Sequence, residues 1–331
     1  MPPTTPIPDV LIIGGSHAGL SAALTLYRAL HTSIIFDSHR PRNNYSTPVR
    51  LTATWEHEEP EKFKQASRKE LEDAGYTTFV DTEITTVRKT DEGLFEVVSR
   101  EGEKWVGRKL LFAIGSRDIF PQIPGYEALY TQRIFQCMLQ FGYEERGCES
   151  AGLLAVEGLA NVFFSTMLAD DSNKFTDKVT IYTNQNPMLA SDISVSLESS
   201  DIGIDDRKIK ALREGEARTQ VVIEFEDGSE VTEGFIVHRP NTELDRTLVD
   251  QLGLKISERG DIEAMPPFCQ TSVPGVFAAG DCASPMKIIP NALCTGAYAG
   301  CGIARELPRR VTERKIVTEN GNTRADTPVY S

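Results

Sequence analysis

Residues 9–37 read DVLIIGGSHAGLSAALTLYRALHTSIIFD, and this stretch decides the fold. Its opening apolar run suits a parallel strand buried on both faces. A glycine turn follows, and then Leu20, Ala23, Leu24, Tyr27 and Leu30 recur at helical spacing. A second apolar run, TSIIFD, ends on Asp37, 23 residues after Gly14. Strand, turn, helix and strand with a terminal carboxylate form the pattern expected of a dinucleotide site. In such a site the glycines leave room for the pyrophosphate and the helix N-terminus attracts its charge, while the carboxylate accepts from ribose hydroxyls. The turn reads Gly14-Gly15-Ser16-His17-Ala18-Gly19, so Ser16 holds the middle position of G-x-G-x-x-G. Serine is the smallest replacement and its hydroxyl can donate to a phosphate. Taken alone, the stretch also fits any parallel α/β domain with a tight glycine turn. The Asp37 spacing and the C-terminal half of the chain argue for the nucleotide.

At 331 residues the chain is long enough for two domains. A net charge of -13 argues against nucleic acid or an anionic membrane as partner, because phosphate binding needs a basic surface. No apolar run approaches the ~20 residues needed to span a bilayer. The N-terminal MPPTTPIPDV has neither a basic segment nor a secretory core, so a cytoplasmic location is expected. Cysteines 137, 148, 269, 282, 294 and 301 form no Cys-x-x-Cys pair and no zinc pattern. Most are expected to be reduced, buried thiols, and no metal is expected.

Near the C-terminus, residues 271–304 read TSVPGVFAAGDCASPMKIIPNALCTGAYAGCGIA. A buried strand would end on Gly280-Asp281, with a small-residue helix beginning near Asn291. This segment resembles the second flavin-binding segment of the low-molecular-weight thioredoxin reductase family. Residues 110–125, LLFAIGSRDIFPQIPG, resemble that family's crossover into an inserted domain, and 235–244, FIVHRPNTEL, its return. The resemblance implies an α/β fold of two Rossmann-like dinucleotide-binding domains, with FAD as cofactor and a homodimer as assembly. The FAD domain would comprise 1–118 and 242–331, with 119–241 inserted. The resemblance places Gly14, Ser16, His17, Ala18, Gly19, Asp37, Arg42 and Asn43 on FAD. It puts Asp281 on the ribityl chain, with Gly280, Asn291 and Ala292 beside it. Residues 77–115 alternate polar and apolar positions around Asp-Glu-Gly and Arg-Glu-Gly turns, which predicts an antiparallel meander. The polar, aperiodic 313–331 reads as a loose tail.

In reductases of this family the inserted domain binds NADPH. Here its turn reads Ala155-Val156-Glu157-Gly158-Leu159-Ala160, where only Gly158 and Ala160 suit the fingerprint. Glu157 would repel a pyrophosphate, and Thr183, Asn184, Gln185 and Asn186 stand where arginines usually grip the 2'-phosphate. The expectation is a retained fold with NADPH binding weak or absent. An unusual but working NAD(P)H site is the alternative.

Residues 137–145, CMLQFGYEE, resemble the active segment of fungal gliotoxin-type disulfide oxidases. That resemblance implies secondary metabolism, but the second cysteine is replaced by Gln140 and the following histidine by Phe141. One thiol cannot both form and resolve a mixed disulfide. Cys137, Gln140 and Phe141 are therefore expected to line a substrate pocket. What remains is an FAD-dependent oxidase or dehydrogenase of a small organic metabolite, passing hydride to flavin and then electrons to oxygen. The alternatives are a flavoprotein assisting a non-redox cyclisation, dehydration or isomerisation, and a divergent NAD(P)H-dependent reductase. The first candidate base is His57 in TATWEHEEPEKF, a segment that approaches the flavin in this family. Glu144 is the next candidate, with Glu145 beside it, and Lys287 would place positive charge near the reduced flavin. His31, His39 and His238 are expected to be structural.

Overall fold

The computed structural model describes residues 7–42, 47–197 and 201–308, together with the backbone of 315–317 and 323–325. The helices are α1 (His17–Arg28), α2 (Pro60–Ala74), α3 (Tyr126–Leu129), α4 (Met138–Glu145), α5 (Val162–Asn173), α6 (Pro187–Ser196), α7 (Thr247–Gln251) and α8 (Ile289–Glu306). A seven-stranded sheet draws on both ends of the chain, in the order 264–265, 270–271, 276–278, 109–112, 10–13, 33–36, 77–80. Its last five strands run parallel. Val10, Leu11, Ile12, Leu110, Leu111 and Phe112 have no exposed surface, as strands covered on both faces require.

One face of this sheet is covered by α1 and α8, which pack closely because α8 carries glycines where they meet. A Cβ on Gly296 would lie 2.2 Å from the carbonyl oxygen of Ala18, so no larger residue fits without separating the helices. The other face is covered by an antiparallel three-stranded sheet of 84–89, 95–99 and 104–107. The predicted meander is therefore shorter than 77–115. Its outer strands, 77–80 and 109–112, join the parallel sheet instead, where their hydrophobic residues find a two-sided core.

A second parallel sheet has the order 202–205, 179–182, 151–154, 236–237, 134–135. An antiparallel three-stranded sheet (209–214, 221–225, 230–233) adjoins it through a core that includes Tyr126, Tyr182 and Phe225. The two chain crossovers pair with each other: strand 117–119 runs antiparallel to 241–243, with Asp118 opposite Thr242. In the expected tail, 315–317 and 323–325 pair as two short antiparallel strands, and the remainder lies outside the described residues. Among the described residues no helix is long and apolar enough to cross a membrane.

All six cysteines are free, but only Cys269 and Cys282 are buried. The expectation of mostly buried thiols was too broad. Cys294 is exposed on α8, and Cys137, Cys148 and Cys301 are half-buried.

Candidate active site

A cleft of about 560 Å³ opens where the strands 10–13, 109–112 and 276–278 end, lined by Gly14–Ala18, Asp37, Arg42, Ala113–Asp118, Gly280, Asp281 and Ala292 among others. Gly14 has φ +116°, and a Cβ there would lie 2.2 Å from the Ala113 carbonyl oxygen. Only glycine lets the neighbouring strand approach so closely. Gly19 does not line the cleft; it lets α1 sit against the turn, since a Cβ there would be 2.0 Å from the Gly14 oxygen. Among the described residues no side chain caps the start of α1, and the Ser16 hydroxyl lies 3.2 Å from His17 Nδ1 instead. The first-turn N–H groups are thus free of a side-chain partner at a helix end that attracts anions. His17 is buried, packs 5.0 Å from Phe63, and its Nε2 has no partner among the described residues. Burial, helped by the nearby Lys64 charge, pushes the His17 pKa down to about 4. Asp37 Oδ1 accepts from the His39 N–H at 2.8 Å, and Oδ2 lies 3.8 Å from Lys64 Nζ.

At the other end of the cleft Asp281, expected on the ribityl chain, sits in an ionic knot. Arg42 donates to Asp118 Oδ1 (2.9 Å) and to Asp281 Oδ2 (3.2 Å). Burial raises the Asp281 pKa, opposed by the charges of Arg42 and Lys287. Arg42, expected on the cofactor, lines the cleft but spends its fork on these two carboxylates. Asn43 lies outside the described residues. Lys287 is not poised as a free charge: its ammonium donates to Asp261 Oδ1, the Asp281 carbonyl and the Ser284 carbonyl. These bonds consume all three of its donors and pin the turn that follows Asp281. Asn291 donates to Ser284 Oγ and the Met286 carbonyl, so it supports the same turn from the first turn of α8.

The segment 137–145 faces the cleft through Gln140 and Phe141. Phe141 stacks on Phe135 at 5.0 Å, which fixes the ring as a wall. Cys137 is the residue preceding α4 and does not line the cleft, contrary to expectation. Cys148 lies beyond the other end of α4, its sulfur 3.9 Å from Glu145 Oε2. Eight helical residues span ~12 Å, whereas a disulfide needs Cα atoms within ~7 Å. Burial and the Glu145 charge also raise the Cys148 pKa, which disfavours a thiolate. Glu145 is itself buried and accepts from Thr219 and Arg218, tying α4 to the 215–220 turn.

His57 is not a wall of the cleft. Its side chain is 58% exposed, and its Nδ1 lies 2.6 Å from Arg50 Nη1. A guanidinium only donates, so Nδ1 accepts and the ring proton sits on Nε2. The residue that enters the cleft from this loop is Arg50, with its side chain 8% exposed. Arg50 Nη2 lies 3.2 Å from Glu144 Oε1, which accounts for the position of Glu144. Arg50 is a cleft residue that no sequence motif singles out. Its signal was a lone cation inside the largely apolar run TPVRLTATW.

The inserted sheet carries the second nucleotide-type turn, and there the contrast with α1 is sharp. The start of α5 is capped by Asn161, whose side chain accepts from the Phe164 N–H at 2.9 Å. Glu157 adopts φ +49°, and burial raises its pKa. Thr183 donates to Asp206, Asn184 accepts from the Ile209 N–H, and Asn186 caps α6. These side chains are committed to loop structure.

A family model described as pyridine nucleotide-disulphide oxidoreductase matches residues 8–296. The chain belongs to that family. It is similar to the thioredoxin reductase aclD of Aspergillus oryzae (37% identical, covering 91% of this chain and 97% of that protein). It is also similar to the thioredoxin reductase tcpT of Claviceps purpurea (39% identical, covering 90% and 93%). Among solved structures, an oxidoreductase from Agrobacterium tumefaciens superposes with a TM-score of 0.81 at 26% identity, covering 91% of this chain and 98% of that one. The protein is an FAD-dependent oxidoreductase. Its residues fit the cofactor: the Gly14 turn admits a close ligand, the start of α1 is uncapped, and the orphaned His17 Nε2 sits in the cleft wall.

Proposed function

We propose that the protein is an oxidase or dehydrogenase of a small organic metabolite, working without a redox-active dithiol and in fungal secondary metabolism. The observation that carries this reading is the pair Gln140 and Phe141, which line the cleft where a thiol and a base would be needed. Bound FAD would supply hydride acceptance from substrate and return of electrons to oxygen. Gly14, Ser16, Ala18 and the start of α1 hold the pyrophosphate, Asp37 the ribose and Asp281 the ribityl chain. Arg42 and Lys287 act as positioning residues, keeping Asp281 and the turn after it in place. Phe141 and Phe135 exclude water from the reacting end of the cleft. Of the proposed bases, Glu144 is better placed than His57 because it reaches the cleft through Arg50, yet it remains one residue removed from the lining. We place the FAD unit at 1–118 with 242–331, the insertion at 119–241, and the protein in the cytoplasm as a homodimer.

Anaerobic mixing with candidate metabolites tests the reading. Bleaching of the flavin by an organic substrate, followed by its return on admitting air, is the expected result. Bleaching by NADPH alone would instead support a divergent NAD(P)H reductase. Turnover of a metabolite with the flavin oxidised throughout would support a non-redox role.

A further inference from the structure

The loop 49–58 is built at some cost. Its neck is closed by backbone bonds from the Val49 N–H to Glu58 and from the His57 N–H to Val49. Within it Leu51, Thr54 and His57 all adopt left-handed backbone, at φ +59°, +68° and +70°. Side chains other than glycine resist that region, and such strain collects where surroundings force a residue into a working position. Trp55 anchors the loop on Phe63, the ring that also packs on His17. What the loop delivers is the Arg50 guanidinium into the cleft wall.

Arg50 is unusually underused for a buried cation. Among the described residues the one hydrogen bond of its guanidinium runs to His57 Nδ1, and its Nε has no partner. The charges facing it are Glu144 Oε1 at 3.2 Å, without hydrogen-bond alignment, and Glu56 Oε1 at 3.8 Å on a side chain 43% exposed. Glu144 Oε2 is itself buried without a partner among the described residues. Gln136, Gln140 and Phe141 line the same cleft, and Gln140 lies one helical turn from Glu144 on α4, so this face meets Arg50. Gln136 Oε1 is another buried atom that lacks a partner among the described residues. A planar fork with donors to spare, beside amides and a ring, matches a carboxylate carried on a flat apolar body.

We propose that Arg50 anchors a substrate carboxylate, so that the molecules processed in this cleft are organic acids. This deepens the proposed oxidase reading and rests on it, but its test does not depend on turnover. Glu144 then acts as a resting counter-ion that the incoming carboxylate displaces.

The experiment titrates the oxidised, FAD-bound protein with benzoate and with benzamide, following the flavin absorbance difference spectrum. Benzoate should perturb the flavin with a Kd at least about tenfold below that of benzamide, the step expected when a charge-assisted fork is replaced by a neutral contact. Arg50→Gln should abolish that preference. Glu144→Gln, which removes the competing carboxylate, should tighten benzoate. Equal binding of the two probes, no perturbation by either, or an unchanged preference in Arg50→Gln would each overturn the proposal. Should Arg50→Gln fail to retain FAD, Glu144→Gln decides: tighter benzoate supports the anchor, and unchanged or weaker benzoate sinks it. Failure of the oxidase reading would appear as an unreduced flavin in turnover experiments and would leave this titration readable.

Discussion

The chemistry turns on a few side chains whose roles are separable by substitution. Cys137→Ser should keep most of the activity, because the thiol stands outside the cleft lining and Cys148 lies at the far end of α4. Phe141→Ala removes a stacked wall, and a shift of about 1 Å in substrate position can cost ~100-fold in rate. Turnover of the two variants on one substrate checks this, and a dead Cys137→Ser that still holds FAD would mean that thiol chemistry survives. His238 offers a test of stability. It is buried beside Tyr126, 2.7 Å away, and burial pushes its pKa from 6.5 down to about 4. Between those values the unfolded chain binds a proton that the folded chain refuses. Stability is therefore lost as pH falls from about 6.5 to about 4, by roughly 3 kcal/mol for this residue. Denaturant melts at pH 7 and pH 4.5 should show a smaller acid loss in His238→Asn than in the wild type, and parallel losses would contradict the assignment. His17, also near 4, adds to the same window.

At the scale of elements, the two glycine-type turns differ in what they leave free. The start of α1 is uncapped and faces the cleft, whereas Asn161 already satisfies the start of α5 and Glu157 adds an acid beside it. NADPH should accordingly fail to bleach the flavin at micromolar concentration under anaerobic conditions, and rapid bleaching would show that the α5 turn still works. The α1–α8 contact predicts a different loss. In Gly296→Val the new side chain meets the Ala18 backbone, and overpacking of this kind costs about 1–3 kcal/mol. Because Ala18 belongs to the glycine turn proposed to hold the pyrophosphate, the variant should release FAD more readily as well as melt earlier. A lower melting temperature with full flavin retention would separate the helix contact from the site. The glycine turn was legible in sequence because it is local: glycines, a helix start and a carboxylate fall within one strand–helix–strand unit. The meander was misjudged at its edges because alternation does not reveal which sheet a strand will join. Strands 77–80 and 109–112 were claimed by partners far along the chain.

Across the whole molecule, function gathers where distant segments meet, and there sequence reading was weakest. Arg42 reaches Asp281 across 239 residues, and no local pattern announces that pair. Arg50 went unnoticed for the same reason, since its neighbours on α4 become neighbours only when the two parallel sheets are assembled. The replacement of the dithiol, by contrast, was visible in one short segment, and the geometry adds that neither Cys137 nor Cys148 lines the cleft. On the proposed reading the flavin is the protein's sole redox centre. An anaerobic dithionite titration of the yellow protein tests it without any knowledge of the substrate. Full reduction should take about two electrons per FAD, and the same count should hold in Cys137→Ser, whereas a dithiol–disulfide couple would add about two more. A count near four in the wild type that falls to near two in Cys137→Ser would contradict the account.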